Sequence, residues 1–233
     1  MVNDLKPIRW VGASLGALRR FPATVRQNIG YALYLAQKGE KAGSAKPLKG
    51  IVKGAGVLEV VEEREGNAYR AVYTVRFEGA IYVLHAFQKK SKKGIKDAEA
   101  DDRFDSSALR AGTTRLRGER DEMSARKRAA VQKGGGNVFA DLELPEAEEL
   151  LAKAELASRI SRIIKGRHLT QIEAATVLDT TQPNVSNLLR GKIDGFSMER
   201  LIRFLNALDR DVEIVIKRRP RSRAVARTRV APA

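Results

Sequence analysis

Between Arg70 and Lys93 the chain carries Arg70, Arg76, His85, Lys89, Lys90, Lys92 and Lys93. Residues of these types, so closely spaced, could hold a phosphate group. In-line attack on phosphorus builds negative charge on the phosphoryl oxygens, and fixed cations stabilise that charge in the transition state. Arg70, His85, Lys89, Lys90 and Lys93 form the candidate catalytic set. His85 suits a general acid or base, because an ordinary imidazole titrates near neutrality. Strand alternation places Arg70 and Arg76 on one face, since their separation is even. Lys53 and Arg64 are further phosphate holders, and Tyr73 or Tyr82 could stack on a base. Each assignment has a plainer alternative. His85 lies between Leu84 and Ala86 in an apolar run, where a packed histidine is common. The tyrosines fit a packed sheet, and QKKSKKG fits a solvated strand end as readily as an RNA contact.

A second constellation runs from His168 to Lys192, HLTQIEAATVLDTTQPNVSNLLRGK. It reads as helix, sharp turn, helix. Ala175 is small where two crossing helices must touch, and Val177, Leu178, Val185, Leu188 and Leu189 supply apolar faces. Thr180 or Thr181 can cap the second helix, Pro183 fits its first turn, and Gly191 ends it. This is the layout of a DNA-reading helix-turn-helix. Gln182, Asn184, Ser186 and Asn187 stand at the helix end that reaches base edges, where amides bond adenine in bidentate fashion. Thr170, Gln171, Arg190 and Lys192 stand where phosphate contacts belong. Asp179 occupies the turn and tolerates a left-handed backbone. The alternative is a helical pair that binds protein.

Composition agrees with a polyanionic partner. The 233 residues carry a net charge of +16, which favours nucleic acid. The chain has no cysteine, hence no disulfide or thiolate metal site. No secretory leader and no apolar run long enough to span a bilayer are legible, so a cytoplasmic location without membrane partners is expected. No phosphate-binding glycine loop, dinucleotide fingerprint, zinc spacing or serine-hydrolase motif appears, so neither cofactor nor metal is expected.

The elements that must position these residues fall into zones. In residues 1–95, Lys6–Val11 reads as a strand. Leu15 and Leu18 mark a short helix, and Val25, Ile29, Leu33 and Ala36 give a second, amphipathic one that Gly39 can stop. Val57–Val61, Tyr69–Phe77 and Ile81–Phe87 read as strands joined by tight turns. The spacing predicts an α+β domain, a small antiparallel sheet with two helices. Residues 96–136 are charged, lack an apolar period and end in three glycines, the composition of a disordered linker. Residues 137–217 predict an all-α helix-turn-helix domain closed by a strand over Asp211–Lys217, which alternates Val212, Ile214 and Ile216. Residues 218–233 read as a basic disordered tail.

Two resemblances follow from these stretches. GNVFADLELPEAEELLAKAELASRISRIIK, with LTQIEAA, QPNVSNLLRGK and GFSMERLIRFLNALDRDVEIVI, resembles the Cro/repressor family and, more narrowly, HigA-like antitoxins. That resemblance implies operator DNA as partner and a homodimer through the C-terminal domain. YRAVYTVRFEGAIYVLHAFQKKSKKG, with LKGIVKGAGVLEVVEER upstream, resembles RelE/HigB-type toxins of the phage-derived branch. It implies metal-independent mRNA cleavage on the ribosome, in which the RNA's own 2′-hydroxyl is the nucleophile. After Gly94 the sequence KDAEADDRFDSSALRAG stands where that family continues into a C-terminal helix. MSARKRAAV, from Met123, would make a plausible antitoxin start or an ordinary linker. The sequence thus predicts a fused toxin–antitoxin protein with a silenced nuclease half. The alternatives are a repressor with a non-catalytic N-terminal domain and a general basic nucleic-acid binder.

Overall fold

A computed structural model describes residues 5–48, 56–75, 79–89, 130–222 and 226–231. The chain splits into two compact units, and the division falls between Leu142 and Glu143.

The N-terminal unit runs β1 (Ile8–Val11), α1 (Ser14–Arg19), α2 (Ala23–Gln37), β2 (Ala45–Pro47), β3 (Val57–Arg64), β4 (Asn67–Thr74), β5 (Ile81–Lys89), β6 (Val131–Lys133) and α3 (Val138–Asp141). The α+β class and the β3–β4–β5 meander follow the sequence reading. The sheet is larger and mixed: its order is β2-β3-β4-β5-β1-β6, with β1 parallel to β5. Pro22, at φ −53°, sits at the N-cap of α2, where a missing N–H costs nothing. Gly39, at φ +77°, ends it: Gly39 N bonds Ala36 O and Glu40 N bonds Leu35 O. This paired closure needs a left-handed residue, which glycine supplies without strain.

One face of the sheet packs on α1 and α2. Tyr69 meets Phe21 edge-on with ring centroids 5.0 Å apart, and Asn28 Nδ2 donates to Glu62 Oε2 at 3.0 Å. Trp10, Ile29, Leu33 and Tyr73 are fully buried there.

The expected linker over 96–136 is corrected at its C-terminal end. Residues 96–129 lie outside the described residues, but β6 pairs antiparallel with β1 and extends the sheet. Gly134 N then bonds Ile8 O at 3.0 Å. Val138, Phe139 and Leu142 are buried, and a Cβ on Gly30 of α2 would lie 3.0 Å from Phe139 Cε1. Arg19 Nε donates to Asp141 O at 2.8 Å and Arg26 Nη1 to Leu142 O at 2.7 Å. The boundary expected at 136/137 therefore falls after Leu142. Lack of apolar period does not exclude a strand when the sheet edge supplies the hydrogen bonds.

The C-terminal unit holds α4 (Ala147–Gly166), α5 (Gln171–Val177), α6 (Gln182–Arg190) and α7 (Met198–Ala207). Leu156, Ile160 and Ile164 of α4, Ala174, Val185 and Leu188 of α5 and α6, and Leu201 and Leu205 of α7 form its core. All four helices close like α2, with His168, Asp179, Gly191 and Asp209 left-handed at φ +55°, +46°, +83° and +58°. Asp179 takes the conformation that its type admits in the turn.

The strand expected over Asp211–Lys217 does not form. The segment has no regular structure, and Ile214, Val215 and Ile216 are 75%, 60% and 94% exposed. A strand needs a neighbour for its backbone groups, and the described part of this unit is helical. The tail is corrected in part: Arg159 Nη2 donates to Ala231 O at 2.5 Å, and Arg227 lies 3.9 Å from Glu148. Residues 226–231 thus run beside α4.

Candidate nucleic-acid interfaces

The first site lies on the sheet face opposite α1 and α2. Cross-strand partners share a face, and the register gives two rows: Glu59–Val72–His85 and Val61–Arg70–Phe87. Lys89 joins them opposite Ala68. Arg70, His85 and Lys89 are therefore brought to one face, while Lys90 and Lys93 lie outside the described residues, as do Lys53, Arg76 and Lys92.

A β-bulge puts His85 on that face. The register shifts between Val72 and Tyr73, so that Val72 pairs with His85 and Tyr73 with Val83. Strict alternation from Ile81 would have turned His85 toward the helices. The packed histidine considered above is thereby corrected: the side chain is exposed, with its ring stacked on Phe87 at 5.3 Å. Partial desolvation holds its pKa below the ordinary histidine value.

Arg70 is engaged. Its Nη1 lies 2.7 Å from Glu59 Oε1, and both side chains are largely buried. Its Nε–H is buried without a hydrogen-bond partner among the described residues. Glu59 is the site residue that sequence reasoning missed, hidden in the acidic run EVVEER. Tyr73 is corrected as a stacking candidate: it is fully buried, and desolvation pushes its phenol pKa up. Tyr82 is half-buried and packs on Val57, Val72 and Leu84. Arg64 is tied to Thr24 Oγ1 and Glu65.

The second site is the α5–turn–α6 pair. Thr170 caps α5 in a capping box: Glu173 N donates to its Oγ1 at 3.3 Å, and its own N–H donates to Glu173 Oε2 at 2.8 Å. Its hydroxyl is thus committed to the helix end. The Thr170 N–H and the Thr170 hydroxyl, which donates to the same Oε2 at 2.8 Å, hold the Glu173 carboxyl below its ordinary pKa. Gln182 and Gln171 are hydrogen-bonded to each other through their amides, which joins the starts of the two helices. Asn184 Nδ2 donates to Thr180 Oγ1 at 3.1 Å, so it braces the turn. Ser186 and Asn187 are half-buried and Arg190 is exposed at the end of α6. Val177, expected in the core, is 39% exposed.

Arg200 was not singled out by the sequence. Its Nη2 donates to Thr180 Oγ1 at 2.8 Å, and its guanidinium lies 5.1 Å and 5.4 Å from the Phe196 and Phe204 rings. It pins α7 to the turn, and only the folded packing brings positions twenty residues apart together.

The comparisons fall on the same two regions. Residues 138–217 match the family model of a helix-turn-helix domain. Residues 17–104 match that of the phage-derived protein Gp49-like family. A solved chain named as an XRE family transcriptional regulator is 50% identical, covering 38% of this chain and 100% of its own, with a TM-score of 0.36. No curated protein matches. The chain thus joins a Gp49-like region to a helix-turn-helix domain. Among the described residues no helix is long and apolar enough to cross a membrane.

Proposed function

We propose that the chain is a fused toxin–antitoxin protein: a RelE/HigB-like half of ribosome-dependent RNA-cleaving type, held silent, and a HigA-like half that binds operator DNA as a homodimer and represses transcription. The observation that carries this reading is the segment Val131–Leu142. It precedes the helix-turn-helix helices in the chain, yet β6 extends the N-terminal sheet and Phe139 seats against Gly30 of α2. An antitoxin-side segment built into the toxin-like unit is a restraint in cis, at high effective concentration. The cation-bearing sheet face supports an RNA site, and the polar N-terminal half of α6 supports base readout.

The experiment is expression of the full chain beside a Phe139→Asp/Asp141→Lys variant that unseats the segment. Growth arrest and mRNA loss confined to the variant would support a restrained nuclease. Selection from random DNA with the full chain should return a two-fold site, and recovery of no preferred sequence would reject the repressor half. A second reading, a repressor whose N-terminal unit has no catalysis, is favoured by the Glu59–Arg70 pair, because the central cation is already neutralised. Indistinguishable growth and mRNA in the two strains, with the N-terminal unit of the variant still folded by Trp10 fluorescence, would favour it.

A further inference from the structure

Residues 218–233 lie beyond the helix-turn-helix domain and hold six arginines, no lysine and no acidic residue. A solvated face ordinarily intersperses both signs of charge. Arg218, Arg219, Arg221, Arg227 and Arg229 are all exposed, and the backbone over 211–220 and 226–231 forms neither helix nor strand. Of these five arginines only Arg227 meets a carboxylate among the described residues: it lies 3.9 Å from Glu148, with both side chains well exposed.

Spacing gives the segment a cationic edge. Arg219 and Arg221 are two apart, as are Arg227 and Arg229, so extended backbone sets each pair on one side. Pro220 stands between the first pair and Thr228 between the second, both compact. Pro220 also holds itself and Arg219 away from helical backbone. A thin extended chain edged with guanidinium groups matches the minor groove of DNA, about 6 Å wide, whose negative potential draws arginine. The planar guanidinium bonds phosphate oxygens in bidentate fashion, which an ammonium does not. An anionic lipid surface is a poorer match, because residues 218–233 hold no Trp, Phe or Leu to enter it. Reach is sufficient. From buried Leu208 to Arg218 the chain can span up to about 35 Å, one turn of duplex.

We propose that Arg218, Arg219, Arg221, Arg227 and Arg229 form a basic arm that lies in the minor groove of double-stranded DNA flanking the site read by α6. In the free chain the far part of the arm rests on α4, where Arg227 faces Glu148 and Arg159 Nη2 donates to Ala231 O at 2.5 Å. Exposed ion pairs hold weakly, so a phosphate replaces Glu148 at small cost. The proposal rests on the reading of α6 as a DNA reader and adds to it a contact outside the helix-turn-helix.

The test uses the full chain, native and as Arg219→Gln/Arg221→Gln/Arg227→Gln/Arg229→Gln, on duplex DNA carrying the site returned by random selection. All four positions are exposed, so the fold should be unchanged, which helical circular dichroism checks. The slope of log affinity against log salt should be smaller in the variant by about 3–4, since each neutralised phosphate contributes about 0.9. Native affinity should rise as the flanks are lengthened to about 10 base pairs on each side, the reach of the arm, and the variant should lose that gain. Hydroxyl-radical protection of the flanking minor groove should disappear with the four substitutions, while protection of the groove read by α6 stays. An unchanged slope and an unchanged flank footprint would overturn the proposal and leave α6 as the reader. A smaller slope without any flank protection would overturn the groove placement. A loss of affinity confined to single-stranded RNA of the same length would overturn the proposal in favour of an RNA-binding arm. If selection returns no preferred site, the DNA reading of α6 fails, and the slope and footprint on a duplex of arbitrary sequence still decide the arm.

Discussion

Trp10 donates its indole Nε1–H to Asp141 Oδ2 at 3.2 Å, across 131 positions of sequence. The other oxygen of Asp141 accepts Gly135 N at 2.8 Å, and a Cβ on Gly134 would lie 2.5 Å from Oδ2. One carboxylate thus clasps the β6 segment to β1, and the glycine run is there because the backbone must pass beside it. This relationship makes Val131–Leu142 part of the N-terminal core.

That role sets a stability prediction. Phe139 is fully buried, and Phe139→Ala should cost about 3–5 kcal/mol. Asp141→Ala leaves the indole N–H without its partner and should cost about 1–3 kcal/mol. Gly30→Val should also lower the stability of this unit, because its Cβ would lie 3.0 Å from Phe139 Cε1 and 3.3 Å from Leu142 Cδ1, and both side chains would have to shift. Trp10 is the only tryptophan, so denaturant unfolding followed by its fluorescence reports this unit. An unfolding midpoint unchanged by Phe139→Ala would mean that the segment does not contribute to the fold.

The α5–α6 geometry divides the polar residues by role. Asn184 spends its amide on Thr180, whereas the side chains of Ser186 and Asn187 make no such bond among the described residues. Asn187→Ala should lower discrimination at one base position by about 1–3 kcal/mol. Asn184→Ala should chiefly loosen the turn and lower affinity for all sequences. Arg190→Ala should weaken binding evenly and reduce the salt slope by about 1. Thr170→Ala removes a helix cap at about 1 kcal/mol. Binding isotherms on a selected site and its point variants, at several salt concentrations, separate these outcomes. Sequence-selective loss with Asn184→Ala would reverse the assignment.

Much of this was legible in the residues. The α2 stripe, its stop at Gly39, the β3–β4–β5 meander and the helix-turn-helix with a left-handed Asp179 all follow from local pattern and local backbone preference. Three features did not. The bulge that exposes His85 arises from pairing between strands, so the apolar neighbours Leu84 and Ala86 along one strand do not reveal it. The β6 segment has no apolar period of its own, since its partners are the backbone of β1 and a gap above Gly30. Asp211–Lys217 has the period of a strand but no partner within its unit, and pattern alone does not distinguish a strand that pairs inside a chain from one that pairs outside it.

His85 carries a pH prediction. Desolvation depresses its folded pKa, so between that value and the ordinary one the unfolded chain binds more protons. Stability therefore rises with pH through this window and is lost as pH falls through it. The chain has two histidines, so proton NMR with His168→Gln as the assignment control gives the His85 midpoint directly. It should lie below the ordinary histidine value, and His85→Gln should flatten the acid side of the stability curve. A midpoint at or above that value would show that the ring is solvated or paired with a carboxylate.

The lowered pKa of His85 favours its neutral form, so in the RNA reading proposed above His85 would serve as a base and Arg70 would hold the phosphate. Arg70 is paired with Glu59, and a guanidinium already bound to a carboxylate attracts a second anion weakly. The intact chain should therefore show little or no cleavage of ribosome-programmed mRNA, with or without chelator. Any residual cleavage should fall sharply with Arg70→Ala. Glu59→Gln removes the competing charge while keeping the shape, and it should tighten binding of a short RNA about tenfold, the effect of roughly 1.4 kcal/mol. The gain should shrink with added salt and vanish in the Glu59→Gln/Arg70→Ala double variant. Robust cleavage by the native chain would overturn the silenced state. RNA affinity indifferent to both substitutions would move the phosphate site off this sheet face.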